Sequence, residues 1–204
     1  MLWRVSPARS RRTPPAGFIL PAQPRLVAKP PSGPDWTHEI KHDGYRLLAR
    51  KEGQRVTLWT RHGTKFTDRL PRIAEAVRGL PVENVLIDGE AVALRPDGRS
   101  DFEAIRTKVG AATAVYVAFD LLQLNGKDIR RQPIEDRRAE LERIVRGADA
   151  VLFSEAIAAE GGLVFKKACE MGLEGIVSKR VGSIYWSGRA RNWTKTRNPA
   201  FQRR

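Results

Sequence analysis

Four short clusters combine residue types and spacings that could do chemistry. The densest is Glu39-Ile40-Lys41-His42-Asp43-Gly44-Tyr45-Arg46. On a strand, Glu39 and Lys41 share one face while Ile40 turns to the core. An amine flanked by an acid, an arginine and turn backbone could hold a nucleotide phosphate while its own pKa falls towards the nucleophilic range. A charged hairpin on a solvent face is the plain alternative. The second cluster is Asp88-Gly89-Glu90. An acidic pair inside a β run costs desolvation unless it faces a cleft, a cation or an arginine; a hairpin turn would explain it more simply.

The third cluster, Glu174-Gly175-Ile176-Val177-Ser178-Lys179, reads as a strand with Glu174, Ile176 and Ser178 on one face and Lys179 at its exit. Carboxylates drawn from separate strands, with lysines nearby, suit a divalent metal bridging phosphate oxygens. In the fourth, Trp193-Thr194-Lys195-Thr196-Arg197, alternation places Lys195 and Arg197 together. Two such cations repel unless an anion lies between them. A solvated tail would need none.

The elements that must position these groups mix strands with short helices. Trp36 to Lys41 and Tyr45 to Arg50 read as strands on either side of Asp43-Gly44, a hairpin signal. Val56 to Thr60 is a further strand. Leu70, Ile73, Val77 and Leu80 recur at helical spacing. Val85 to Ile87 and Ala91 to Leu94 flank the acidic pair, and Val115 to Leu122 is an apolar strand followed by an Asn125-Gly126 turn. Pro133 opens a helix with a buried stripe of Ile134, Leu141, Ile144 and the stem of Arg137. Gly162 to Met171 is a helix ended by Gly172, and Ile176 to Ser178 is a central strand. The pattern predicts an α+β domain rather than a regular βαβ sheet.

Composition narrows the partner. The 204 residues carry 37 Lys+Arg against 23 Asp+Glu, a formal net charge of +14, which points to a polyanion such as nucleic acid. One cysteine excludes an intrachain disulfide and a Cys-based zinc cluster and fits a reducing cytosol. No apolar run has the length of a membrane span, and no signal-peptide pattern follows the arginines near Met1. Residues 1–29 read as a basic, proline-rich flexible arm, 30–198 as the folded domain, and 199–204 as a basic tail.

Taken together, the clusters resemble the nucleotidyltransferase (adenylation) domain of ATP-dependent DNA ligases, and within that family the ligase module of bacterial end-joining ligases. Lys41-His42-Asp43-Gly44-Tyr45-Arg46 is similar to its Lys-x-Asp-Gly-x-Arg motif, and Thr60-Arg61-His62-Gly63 to the element that follows. Asp88-Gly89-Glu90, Val117 to Leu122, Glu174 to Lys179 and Trp193 to Arg197 complete the series in order. The resemblance implies antiparallel sheets flanked by helices around a nucleotide cleft. It implies ATP and Mg²⁺ or Mn²⁺ as cofactors, and nicked or broken double-stranded DNA as partner. Lys41 would attack the α-phosphorus of ATP, with Lys195 and Arg197 stabilising the phosphate charge. Glu39, Arg46, Arg61, Glu90, Phe119 and Lys179 would hold the nucleotide: Phe119 stacks on adenine, Glu39 reads its edge, and Glu90 contacts the ribose. Glu174, with Glu90, would position the metal. A monomer at work in DNA repair in the bacterial cytoplasm, at the nucleoid, follows.

Two departures qualify the likeness. Arg197 stands where the family usually has lysine, exchanging a point charge for a planar fork. The sequence ends seven residues later, without the C-terminal oligonucleotide-binding barrel that closes over the nucleotide. Expected consequences are a minimal core, a barrel or end-joining protein supplied separately, or a shortened remnant. Sealing would be weaker without closure, and the arginine-rich ends would replace part of the clamp. RNA-end ligation, capping-like transfer and non-catalytic nucleic-acid binding are the alternatives.

Overall fold

The structure, a computed structural model, describes residues 14–202. In chain order its elements are β1 (Ala22–Leu26), β2 (Trp36–Ile40), β3 (Tyr45–Glu52), β4 (Arg55–Thr60), α1 (Pro71–Arg78) and β5 (Asn84–Val92). Then follow α2 (Phe102–Arg106), α3 (Lys108–Thr113), β6 (Val115–Leu124), β7 (Lys127–Asp128), α4 (Ile134–Val145) and β8 (Val151–Phe153). Last come α5 (Gly161–Glu170), β9 (Gly175–Arg180) and β10 (Gly188–Arg197).

The strands form two sheets. One has the order β1-β10-β9-β2; the other runs β4-β3-β5-β6-β7, with β8 beside β6. The α+β expectation holds. The sheets are mixed rather than purely antiparallel, because β1 runs parallel to β10 and β8 parallel to β6.

Alternation along the larger sheet explains the layering. Leu47, Ala49 and Ile87 pack with Ile73 and Val77 of α1 and Leu141 and Ile144 of α4, in one core. Their neighbours in sequence, Leu48 and Leu86, face the other way and meet Ala22, Ala190 and Trp193 of the smaller sheet and Tyr185 of the loop before β10. The two sheets therefore stack face to face. On the outer side of the smaller sheet, Val164 and Ala168 of α5 cover Ile176. Capping fits these helices: Pro71 starts α1, the Asp101 carboxylate accepts from Ala104 N–H at α2, and Glu160 accepts from two N–H groups at α5.

Several sequence expectations need correction. Asp43-Gly44 does not turn a hairpin. β2 pairs with β9 in one sheet, while β3 pairs with β4 and β5 in the other, so the segment carries the chain between sheets. Gly44 is required for close approach: a Cβ there would lie 2.1 Å from the carbonyl oxygen of Ala91. The Asn125-Gly126 turn does join a hairpin, β6 to β7, with both residues at positive φ. Asp88-Gly89-Glu90 is no turn; it lies inside the continuous strand β5.

Part of the expected arm is also built into the fold. Ala22–Leu26 adds an edge strand to β10, where proline is tolerated because one side of the strand needs no partner. Residues 1–13 of that arm, and 203–204 of the expected tail, lie outside the described residues. Arg137 is buried over its whole length, not only at its stem: its guanidinium makes two 2.8 Å bonds to the equally buried carboxylate of Asp120. Among the described residues, no helix is long and apolar enough to cross a membrane.

Candidate active site

The facing surfaces of the two sheets bring most of the predicted residues together. Lys41 leaves β2 where its N–H bonds the carbonyl of Gly175 at 3.0 Å. Its ammonium lies 2.7 Å from Oε2 of Glu174, and both side chains are largely buried. Glu174 does not share a strand face with Ile176 and Ser178, as alternation suggested. It precedes β9, and Gly175 after it has φ of 143°. That turn aims the carboxylate at Lys41. A Cβ on Gly175 would also meet the Thr196 carbonyl at 2.0 Å.

From β10, Lys195 sits opposite Val177 and Arg197 opposite Gly175. Arg197 is mostly exposed, with Nε 3.9 Å from Glu174 Oε1. The Lys195 ammonium makes no hydrogen bond or ion pair with a described residue, although the Lys195 carbonyl accepts from Val27 N–H at 3.0 Å. Burial, then Arg197 and Lys41, hold its ammonium below the ordinary lysine range. A partly buried cation among cations is the electrostatic preparation for an anion.

The larger sheet supplies the opposite wall. Arg46 and Glu90 are paired across β3 and β5. Burial pushes the Glu90 carboxyl up to about 7; Lys41 and Arg46 pull it down, while Glu174 and Asp88 push it further up. Arg46 is clamped by Asp88 through bonds of 3.0 and 2.6 Å, and Asp88 also accepts from Tyr185 Oη at 2.6 Å. Burial opposes the Arg46 charge, but Asp88 outweighs it and the net shift is upward.

Phe119 sits at a β-bulge. Asp88 pairs with Asp120 and Gly89 with Ala118, which leaves Phe119 as the extra residue. Its ring has the Arg46 guanidinium 5.1 Å and the Lys179 ammonium 4.7 Å from its centroid. Its carbonyl accepts from Lys179 and Arg138, each at 3.1 Å.

Glu39 lies beneath, with both oxygens engaged. Oε1 meets Lys179 at 2.6 Å and Arg138 at 2.8 Å, and Oε2 accepts from Ser154 Oγ at 2.8 Å. Burial lowers the Lys179 pKa and Glu39 opposes that shift. Arg61 is exposed and bonds His62; it makes no contact with the groups around Lys41.

A cavity of about 180 Å³ opens beside the Lys41–Glu174 pair, lined also by His42, Arg99, Ser100 and Phe201. Burial, then Lys41, holds His42 down at about 4, so it is neutral there. A larger cavity, about 280 Å³, lies at the far ends of β3 and β5 and touches none of the predicted site residues. The described residues hold no group of three or more His, Cys, Asp or Glu arranged for a metal. Glu90 and Glu174, close enough to perturb each other, suit instead a hard cation held by two carboxylates and a phosphate.

An amine beside a carboxylate, an unpartnered lysine and a buried arginine can together hold a phosphate and attack it. Comparison with known proteins decides the family: a model described as the ATP dependent DNA ligase domain matches residues 25–197. The chain belongs to this family. The ligase domain is 40% identical over 189 residues to the multifunctional non-homologous end joining protein LigD of Pseudomonas aeruginosa, covering 90% of this chain and 22% of that protein. It is 30% identical over 186 residues to the SPbeta prophage-derived DNA ligase-like protein LigB of Bacillus subtilis, covering 89% of this chain and 68% of that protein. A mycobacterial DNA ligase D complexed with ATP and MES has the same fold, with a TM-score of 0.76 and 29% identity, covering 88% of this chain and 60% of that one. The ligase domain thus spans about a fifth of the LigD relative.

Sequence reading missed three members of the candidate site. It singled out both Asp88 and Arg46, but not their pairing across β3 and β5. Tyr185, Arg138 and Ser154 stand outside every motif.

Proposed function

We propose that this chain is the catalytic core of an ATP-dependent DNA ligase, in which Lys41 takes AMP and passes it to a 5′-phosphate at a nick. The observation that carries this reading is the Lys41 ammonium 2.7 Å from Glu174, with Lys195 unpartnered nearby. Attack requires the amine to lose a proton, and Glu174 is placed to accept it. The nitrogen–phosphorus bond forms as the bond to pyrophosphate breaks, giving a phosphoramidate. Lys195, with Arg197 beside it, balances charge gathering on the α-phosphate oxygens. Glu90 and Glu174 would hold Mg²⁺ or Mn²⁺, which supplies neutralisation of the phosphates.

Arg46 is fixed by Asp88, so it keeps its orientation through the reaction without reorganisation. Phe119 offers adenine an aromatic surface. Glu39 acts by fixing Lys179 and Arg138 under that surface, since both of its oxygens are taken. Arg61 would serve the DNA rather than the nucleotide. The acceptor is nicked or broken duplex DNA in repair, and a separate barrel or end-joining protein would complete the clamp. The proposed unit is a monomer of the bacterial cytoplasm, at the nucleoid. The proposed domain extends upstream of residue 30 to take in β1 and Phe18, whose ring packs edge-on against Trp59.

The test is incubation with α-labelled ATP and Mg²⁺ or Mn²⁺, followed by a denaturing gel. Label that is lost in Lys41→Ala supports the proposal. Folded protein that takes no label refutes it. A pre-adenylated nicked duplex then reports sealing by itself.

A further inference from the structure

Several arginines on the helical side are neutralised: Arg72 pairs with Asp149, Arg106 with Glu103 and Arg143 with Glu140, each at 3.1 Å or less. After Glu174 the sequence contains no acidic residue at all. In that stretch Arg180, Arg189 and Arg191 are exposed, and their side chains make no hydrogen bond or ion pair among the described residues. Ala190 packs between the two sheets, whereas its neighbours Arg189 and Arg191 are exposed.

The loop from β9 to β10 adds an aromatic group to these cations. Tyr185 is buried against Asp88, but Trp186, the next residue, is 57% exposed. Val181 and Ile184 of the same loop are exposed as well. A large indole held out to solvent loses the burial that normally keeps such a side chain inside. From Trp186 to Arg191 the chain spans at most ~17 Å, so the indole and both arginines lie within reach of one short run of nucleotides. The loop itself leads into β10, which carries Trp193 and Lys195 to the cleft.

We propose that the β9–β10 loop and the first residues of β10 form a docking surface for unpaired nucleotides, with one base stacked on Trp186 and its flanking phosphates held by Arg189 and Arg191. The occupant is single-stranded nucleic acid, because a flat ring accepts a base only when that base is free of its duplex stack. The unpaired cations match its phosphates. Resting on the ligase reading, the surface would hold a frayed or protruding end beside the break to be sealed.

The experiment compares the full chain with Trp186→Ala, Trp186→Phe and the Arg189→Glu/Arg191→Glu double variant, after circular dichroism and thermal melts show all four folded. Fluorescence anisotropy measures binding to labelled oligothymidylate and to a blunt duplex of equal length at several salt concentrations. Trp186→Ala should weaken oligothymidylate binding at least about five-fold, the lower end for loss of one base–aromatic stack, and leave the duplex within about two-fold. Trp186→Phe should recover most of the loss. The double variant should weaken both ligands and flatten the salt dependence. Unchanged oligothymidylate binding in Trp186→Ala, an equal loss on the duplex, or no oligothymidylate binding by the unaltered chain at low salt would each overturn the proposal. Lysine labelling by ATP needs no DNA. Its absence defeats the enzyme reading while leaving this surface to be judged on binding alone.

Discussion

Replacing Asp88 by asparagine keeps the shape of the side chain and removes one charge. Asp88 has no exposed surface, and it accepts two bonds from Arg46 and one from Tyr185. The substitution leaves the Arg46 guanidinium in the cleft without its counter-charge. Breaking one partner of such a pair costs about 3–5 kcal/mol, and asparagine can restore part of the hydrogen bonding, so a loss of about 3 kcal/mol is expected. A domain of this size has a total stability on the order of 5–15 kcal/mol, so the variant should still fold. Urea unfolding followed by circular dichroism measures the loss directly. Tyr185→Phe removes the third bond and also leaves the Ala22 N–H without the oxygen it donates to at 2.8 Å. It should cost about 1–2 kcal/mol. If Arg46, Asp88 and Tyr185 act as one unit, the double variant costs less than the sum of the singles. An Asp88→Asn protein within about 0.5 kcal/mol of the unaltered chain would refute the claim that this network orders Arg46.

Three further outcomes can be checked. Glu90 has a folded-state pKa of about 7 against an ordinary value of 4.5. Its native carboxyl holds a proton that the unfolded chain has already lost, so stability falls as pH rises between those values. Glu90→Gln should therefore gain stability relative to the unaltered chain above pH 7 and show no gain below pH 4.5, in urea titrations at the two pH values. Gly175→Ala places a Cβ 2.0 Å from the Thr196 carbonyl at a φ of 143°; it should destabilise by about 3 kcal/mol or more and cost ATP labelling, measured together. Lys41→Arg should retain the thermal melting profile yet take no label from ATP, since guanidinium keeps the charge facing Glu174 but not the nucleophile.

What could be read in advance, and what could not, divides along physical lines. The chemistry-bearing residues were legible because covalent catalysis demands particular side chains at short spacings, as in Lys41 to Arg46. Strands β3, β5 and β6 announced themselves through apolar runs and alternation. Pairing was not legible: Asp43-Gly44 has the composition of a hairpin, yet Gly44 is small because Ala91 passes close by, a reason that lies wholly in tertiary structure. β1 was hidden by its proline, which an edge strand allows. The buried guanidinium groups of Arg137 and Arg138 were missed since arginine ordinarily keeps its head in water, and their partners Asp120 and Glu39 are remote in sequence. The orientation of Glu174 depends on one backbone angle at Gly175, which no side-chain pattern encodes.

The most direct measurement is intact-protein mass spectrometry after incubation with ATP and Mg²⁺, followed by peptide mapping. A gain equal to one AMP, carried by the nitrogen of Lys41, is the predicted result. A folded chain that stays unmodified, or an adduct on any other residue, would contradict it.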